Sequence, residues 1–519
     1  MVTKLIKSKL IFFILLLATL IRFYHVNSLP SLNPDEAALG YNAYSLLQTG
    51  KDEHGASWPL HFKSFGDYKP GGYVYLSLPF IATFGLTPLA IRLPNLIFSI
   101  LTILVLYKFV LLLSSSIALS LYSAIALSLS PWHIHFSRGA WESCSALFFI
   151  VLGLYWFYSF IINRKLYFLF LFPLPLVASL YIYHSARIII PVLFLILIIF
   201  NFKIFLNSFK SSLLALFLTI ALTIPVLTSF INNGGATRFG GIGLTADYGP
   251  IARAEELLNQ HGNTLLINRL IHNKRVLYTI SWAQKYFSHF DYNFLFLKGD
   301  DVPRSKTPGM GQFYLFELPF LLLGIIFVLK SKYPHLKPLL FSLLFIAPLA
   351  SSLTFQAPSA LRSLPLVIPL SIFIAFGLYY SITLIPKLIY LIIPLYIFSF
   401  LFYLDAYFVH SPSRYSFAWN RGFSEIIPFI NTSKSKYQNI FLTDKYDQPY
   451  ILYLFFSKYP PKLIQSQIKL TPPDKFGFST VNQIDNITFH IPDVIPPNSL
   501  VIDSSDFPST AESFRIYTK

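Results

Sequence analysis

Charge is scarce in this chain. Asp, Glu, Lys and Arg make up 12% of its 519 residues, against 54% hydrophobic and 18% aromatic. That balance excludes a soluble globular protein and indicates an integral membrane protein. Acids are scarcer than bases, 23 against 40, which leaves a net charge of +17. The basic residues are scattered between apolar segments and form no basic face, so a nucleic-acid partner is excluded. The single cysteine, Cys144, excludes an internal disulfide and a thiolate metal cluster, and its apolar surroundings suit a buried small residue. There is no internal repeat and no low-complexity linker. No small-residue cleavage site follows Arg22-Phe23-Tyr24-His25, so Leu10 to Leu20 behind Lys4, Lys7 and Lys9 reads as a retained signal anchor.

What the chain has is long apolar runs. At roughly 20 residues per crossing they give about eleven transmembrane helices. Their limits are near 8–25, 88–110, 116–136, 142–162, 166–183, 187–205, 211–231, 313–330, 337–354, 362–382 and 386–404. With a cytoplasmic N-terminus, Lys108, Arg164, Lys165, Lys203, Lys210, Lys330, Lys332, Lys337 and Lys387 lie on or beside the inner loops, as the positive-inside rule requires. Every Asp and Glu, from Asp35 to Glu512, then falls on the outer side or at the outer end of a span.

Residues 1–410 therefore read as a transmembrane domain with two large outer loops, 26–87 and 232–312, and residues 411–519 as an extracytoplasmic small α/β domain. In the first loop, Asn33 suits an N-cap and Pro34 a first helical position, with Asp35 and Glu36 in the first turn and Gly50 closing the helix. Ala37, Ala38, Tyr41, Tyr44 and Leu47 share one face, as in a helix lying in the membrane interface, and Tyr73 to Phe84 reads as a second such helix. The second loop opens with a Gly-rich stretch from Asn233 to Gly243 and an amphipathic run from Ile251 to Leu270, a pattern that suits a mobile cover over a site. In the last domain, Asn439 to Leu442 and Leu500 to Ile502 read as strands and Pro449 to Phe456 as a helix.

Several ionisable residues at outer span ends are candidates for chemistry, because a charge at membrane depth is costly and usually lines a polar cavity or meets a partner. Lys69, in Tyr68-Lys69-Pro70, precedes Gly71-Gly72, where a ligand can approach the backbone; it suits a phosphate or a headgroup-level lysine. Arg138 and Glu142 stand four residues apart and suit an ion pair or a shared site. His184 and Arg187 sit at an outer turn beside Tyr181 and Tyr183, whose rings suit either interfacial anchoring or a sugar site. Arg362 opens a span on the side where positive-inside bias gives it no reason to be. Four cations and the carboxylates Asp35, Glu36 and Glu142 on one membrane face match an anionic lipid headgroup and a general base. Glu53, His54, His61, His133, His135 and the pair Asp300-Asp301 match no defined metal spacing, so the reading assigns no metal and no cofactor.

These residues resemble a known family, the GT-C glycosyltransferases that use polyprenyl- or dolichyl-phosphate sugars, and within it the bacterial relatives of protein mannosyltransferases and aminoarabinose transferases. The resemblance rests on Asp35-Glu36, Tyr68-Lys69-Pro70, Arg92-Leu93-Pro94-Asn95, Ser137-Arg138 with Glu142, Tyr183 to Arg187, and Ala360-Leu361-Arg362 leading to Pro365 and Pro369. It covers about the first 400 residues and is strongest over 33–100. It implies that Asp35 is the general base, with Glu36 beside it as a supporting or acceptor-side group. It also implies that Lys69, Arg138, Arg187 and Arg362 bind the lipid phosphate, and that Tyr68, Glu142 and His184 contact sugar or acceptor. The implied reaction moves a hexose, mannose or a relative, from a polyprenyl-phosphate donor to a glycan, lipid or protein acceptor hydroxyl with inversion, at the outer face of the plasma membrane. Two departures stand out: relatives usually carry Lys-Pro-Pro where this chain has Lys69-Pro70-Gly71, and many carry histidine at the place of Ser359. The alternative reading is a transporter or flippase for lipid-linked glycans, which predicts polar groups deep in several spans and repeat symmetry.

Overall fold

The computed structural model describes residues 2–232, 243–261, 266–474, 477–505 and 514–519, with side chains from residue 9 onward and none at 261. The chain is a polytopic helical membrane protein with a small C-terminal α/β module. Each of the eleven expected apolar segments is helical. Among the described residues, five helices are long and apolar enough to cross a membrane alone: Pro88–Ser114, Glu142–Asn163, Phe209–Asn232, Leu364–Leu384 and Pro386–Arg414. Others are shorter or broken. The expected continuous span 116–136 is two helices, Ile117–Leu129 and Pro131–Ser137, bent by 59°. Pro131 lacks the N–H that would continue the ladder, and the Ser130 side chain accepts from the His133 N–H to start a new helix. The bend carries Arg138 and the turn after it toward the start of helix Pro34–Thr49.

Bundle packing uses small residues where helices meet most closely. Helices Leu318–Lys330 and Val367–Leu384 pack with Gly324 against Gly377. A Cβ at Gly324 would lie 1.7 Å from the Phe373 carbonyl oxygen, and one at Gly377 would lie 1.9 Å from that of Phe320. Backbone contact of this kind admits no side chain.

Helix Pro34–Thr49 forms as its sequence directs. Asn33 and Glu36 make a reciprocal capping box, and Gly50, at φ 69°, ends the helix in the left-handed conformation. Its burial differs from the expected interfacial stripe. Leu39, Ala43 and Leu46 are buried along with Ala37, Ala38 and Tyr41, while Leu47 is 40% exposed. The reason is that the helix is sandwiched: it packs against Gly72–Phe84 on one side and Pro449–Phe456 of the C-terminal module on another. The expected strands and helix of that module are present, in a five-stranded mixed sheet built from β3 (Asn439–Leu442), β4 (Gln483–Ile484), β5 (Ile487–Thr488), β6 (Ser499–Ser504) and β7 (Phe514–Thr518). The order is β4-β5-β3-β6-β7, with β3 parallel to both its neighbours. The module's apolar residues, such as Ile440, Tyr450, Phe455 and Ile502, join one core with Leu32, Tyr41, Phe62 and Ile91. Polar contacts fix the same joint: Tyr41 donates to the Tyr459 carbonyl at 2.8 Å, and Gln465 donates to Thr49 and the Asp52 carbonyl at 2.9 Å each. In the second loop, the amphipathic run forms helices Gly249–His261 and Leu266–Ile271, and most of the Gly-rich stretch, residues 233–242, lies outside the described residues.

Two expectations follow. Gly324→Leu or Gly377→Leu forces the two helices apart and costs at least about 1–3 kcal/mol, visible as a lowered melting temperature in detergent; unchanged melting would refute the close contact. Glu53 is the second. Its backbone N–H and one carboxyl oxygen bond to Asn42, the other oxygen is buried without a partner, and burial pushes the carboxyl up to about 8 from 4.5. A carboxyl raised on folding stabilises fully below its unfolded pKa and loses that contribution as pH rises through the folded value. Stability is therefore expected to fall between about pH 4.5 and pH 8, and Glu53→Gln to flatten that fall, as read by thermal unfolding across the pH range.

Candidate active site

The short hairpin of β1 (His61–Ser64) and β2 (Asp67–Pro70) stands beside the first turn of helix Pro34–Thr49. It places Lys69 next to Asp35, and the ammonium donates to Asp35 Oδ1. The Lys69 side chain is 16% exposed and that of Asp35 is 39% exposed, so the pair faces open space. Lys69 also lies 5.0 Å from the centre of the Phe65 ring.

That space is a cavity of about 730 Å³ at one end of the bundle. Its wall draws on segments far apart in the chain: Asp35, the hairpin from Lys63 to Pro70, Glu142, His184, Asp300 to Ser305, Gln356 to Arg362, and Leu470, Thr471, Pro473 and Gly477 to Ser479 of the C-terminal module. Four cations, Lys63, Lys69, Arg304 and Arg362, share it with the carboxylates Asp35, Asp67, Glu142 and Asp300. Arg362 is oriented by Thr354 Oγ1 and the Gln356 carbonyl, at 3.2 and 3.1 Å. Asp300 pins the adjoining turn by accepting from the Ala360 N–H at 2.7 Å and the Val302 N–H at 2.9 Å. Burial raises its pKa, opposed by those two N–H groups and by Arg362. Arg304 points its Nη2 toward Asp447 at 3.8 Å, and its Nη1 is buried without a hydrogen-bond partner.

Of the residues singled out in the sequence, Asp35, Lys69, Glu142, His184 and Arg362 line this cavity. Glu36, Tyr68, Arg138 and Arg187 are not among its lining residues. Glu36, expected beside the base, is 1% exposed and fully engaged: both oxygens meet Arg92 at 2.7 Å, and Oε1 also accepts from the Ala140 N–H at 2.7 Å. A carboxylate so satisfied holds structure and is not placed to take a proton from a ligand. Arg138, expected on the phosphate, is fully buried. Its terminal nitrogens donate to the carbonyls of Ile21, Arg22, Tyr24 and Leu29, and its guanidinium stacks on Tyr407 and Phe408. These carbonyls consume the four terminal donors that a phosphate would need, and Nε is buried without a hydrogen-bond partner. Arg187 lies behind His184. Its Nη2 donates to His61 Nε2 at 2.7 Å, and its guanidinium sits 5.1 Å from the centre of the Phe230 ring. Burial and this cation lower His61 to about 4, so its imidazole is neutral and accepts the bond.

Of the histidines considered for a metal, His61, His133 and His135 each spend a ring nitrogen on another partner. His133 Nδ1 accepts from Arg22 at 2.9 Å, and His135 Nε2 donates to the Arg304 carbonyl at 2.8 Å. Among the described residues no group of three His, Cys, Asp or Glu is placed to hold a metal ion. Lys63 and Arg304 were missed by the sequence reading. Arg304 was within reach of it: like Arg362, it is an arginine in a segment that the sequence reading assigns to the outer face, where positive-inside bias gives it no reason to be. Lys63 enters only through the pairing of β1 with β2.

No family model and no curated protein matches the sequence. Solved structures are similar in fold. ArnT from Cupriavidus metallidurans in the apo state is similar over 96% of this chain and 93% of its own, at 10% identity and a TM-score of 0.46. An Archaeoglobus fulgidus oligosaccharyltransferase tethered with an acceptor peptide is similar over 88% of this chain and 63% of its own, at 11% identity and a TM-score of 0.47. ArnT from Cupriavidus metallidurans bound to undecaprenyl phosphate is similar over 91% of this chain and 86% of its own, at 9% identity and a TM-score of 0.41.

The neighbouring acids Asp35 and Glu36 differ in a way that stability measurements resolve. Glu36→Ala strands the buried Arg92 and is expected to cost about 3–5 kcal/mol, whereas Asp35→Asn removes a partly exposed pair worth about 0–1 kcal/mol. Thermal unfolding of the two purified variants checks this, and equal losses would contradict the division of roles.

Proposed function

We propose that the chain is a GT-C-type glycosyltransferase that moves a sugar from a polyprenyl-phosphate donor to an acceptor hydroxyl with inversion. The observation that carries this reading is the convergence of Asp35, Lys69, Glu142, His184 and Arg362 on one cavity, although they come from five separate segments of the chain. The same residues carry the sequence resemblance. Positive-inside bias supports a cytoplasmic N-terminus and a cavity facing outward, at the plasma membrane. Charged residues drawn from loops and helix ends at one end of the bundle favour chemistry at that face over passage through it, the transporter alternative.

In this reading Asp35 takes the proton of the acceptor hydroxyl. The hydroxyl oxygen then bonds to the anomeric carbon as its bond to the phosphate oxygen breaks, and the lipid phosphate leaves with the electron pair. Lys69, Arg304 and Arg362 face the charge that grows on that phosphate, in fixed positions that need no reorganisation during the reaction. Lys69 has a double role. Its ammonium holds the Asp35 carboxylate in place before the donor arrives, and an incoming phosphate competes for the same ammonium, which frees the carboxylate for the proton. Glu142 and His184 are assigned to sugar or acceptor, and mannose or a related hexose is the sugar the resemblance implies.

Asp35→Asn is expected to lower transfer from a radiolabelled polyprenyl-phosphate sugar by roughly 10²–10⁴-fold while the protein still purifies folded. Lys69→Met and Arg362→Met are expected to lower donor use in the same assay. Near-normal turnover by Asp35→Asn would remove the base assignment.

A further inference from the structure

Two of the cations that line the cavity stand on irregular backbone. Arg304 belongs to the single helical turn Pro303–Ser305, and Arg362 to the turn 360–363. Neither segment has a long helix or a sheet to fix it, so its place depends on what holds its backbone groups.

Both are held from one short helix, Pro131–Ser137. The Trp132 indole N–H donates to the Ala360 carbonyl at 3.0 Å, and His135 Nε2 donates to the Arg304 carbonyl at 2.8 Å. A carbonyl only accepts, so the proton of this bond is on Nε2. Trp132 and His135 are three residues apart, which puts them on one face of the helix and about 4.5 Å apart along its axis. Neither of them lines the cavity.

The two donors are themselves fixed. Trp132 is fully buried and His135 is 4% exposed. The Trp132 backbone N–H donates to the Gln312 carbonyl at 3.1 Å, and its ring packs edge-on against Phe294 and Phe313, at 5.8 and 5.9 Å between centres. The His135 ring packs edge-on against Tyr407 at 5.8 Å. Asp300 holds the same two segments from the other side, since it accepts from the N–H groups of Ala360 and Val302. The Ala360 residue is therefore bound at both its N–H and its carbonyl. What this leaves for a ligand is the cavity end of each arginine, and Arg304 Nη1 has no hydrogen-bond partner among the described residues.

A buried indole or imidazole N–H ordinarily takes whichever carbonyl lies near. Here both N–H groups of one helix face go to the two segments that carry arginines into the cavity. We infer that Trp132 and His135 are positioning residues that set the separation of Arg304 and Arg362: His135 acts through the Arg304 carbonyl, and Trp132 through Ala360. The break at Pro131 is then part of the site, because it sets the direction in which this face points. The inference rests on the function proposed above and adds to it two residues that never touch the substrate.

The test is a set of double-mutant cycles on the full chain, read as kcat/KM for transfer from a radiolabelled polyprenyl-phosphate sugar. Trp132→Phe and His135→Leu are each expected to lower it roughly 10- to 100-fold, and His135→Gln, which keeps an N–H donor, to recover most of that loss. Once the arginine is gone its positioning has no further effect. His135→Leu is therefore expected to add no loss to Arg304→Met, nor Trp132→Phe to Arg362→Met, whereas the crossed pairs multiply their losses. A purely structural role would multiply in every combination. The inference is overturned by near-normal transfer in both single variants, by equal losses in His135→Leu and His135→Gln, or by matched pairs that lose as much as crossed ones. If His135→Leu does not purify folded, Trp132→Phe, which keeps an aromatic ring in place, carries the same comparison. No transfer by the unmodified protein would remove the proposed function itself. Transfer that depends on both arginines but on neither Trp132 nor His135 removes the positioning assignment alone.

Discussion

A carboxylate and a guanidinium taken out of water cost several kcal/mol each unless their partners replace the lost solvation. Glu36 and Arg92 meet that condition. Arg92 spends its donors on both Glu36 oxygens and on the carbonyls of Val26, Pro30 and Ser31, and Glu36 also takes the Ala140 N–H. One ion pair thus ties the start of helix Pro34–Thr49 to the loop before it, to helix Pro88–Ser114 and to the turn after Arg138. Asn95 reinforces it from the next turn of the same helix by donating to the carbonyls of Phe136 and Gly139. The position of Asp35 follows, since it projects from the turn that this network holds still. Two adjacent acids therefore do different work, one fixing the backbone and the other facing the cavity.

The C-terminal module is part of the same construction. Its core is continuous with that of the first loop, and its residues Leu470, Thr471, Pro473 and Gly477 to Ser479 close one side of the cavity. The Ser479 N–H donates to the Phe65 carbonyl at 2.9 Å, which ties that wall to the hairpin carrying Lys69. Asp447, from the same module, meets Arg304 of the large loop. The cavity is thus bounded by loops of the bundle and by the module together, and its charges of both signs are set on separately anchored elements.

Much of this was legible in the sequence, because its causes are local. Apolar runs gave the helices, Asn33 to Glu36 gave the capped start, Gly50 gave the stop, and the rarity of charge made each cation at a span end conspicuous enough to single out Lys69 and Arg362. The same conspicuousness misled at Arg138. An arginine at a span end is equally well used by backbone carbonyls exposed where helices break, and only the fold brings Ile21, Arg22, Tyr24 and Leu29 to it. The break at Pro131 was written in the sequence, but the length of the apolar run concealed it.

By itself the sequence determined that this chain is a multi-pass helical membrane protein, and which residues cap and end its helices, since solvation and backbone chemistry act over a few neighbouring residues. Only the tertiary structure decided which charges face open space. That depends on partners distant in the chain: Arg92 and Ala140 enclose Glu36, carbonyls enclose Arg138, and Lys63 and Arg304 come to the cavity from segments that no periodicity connects to Asp35.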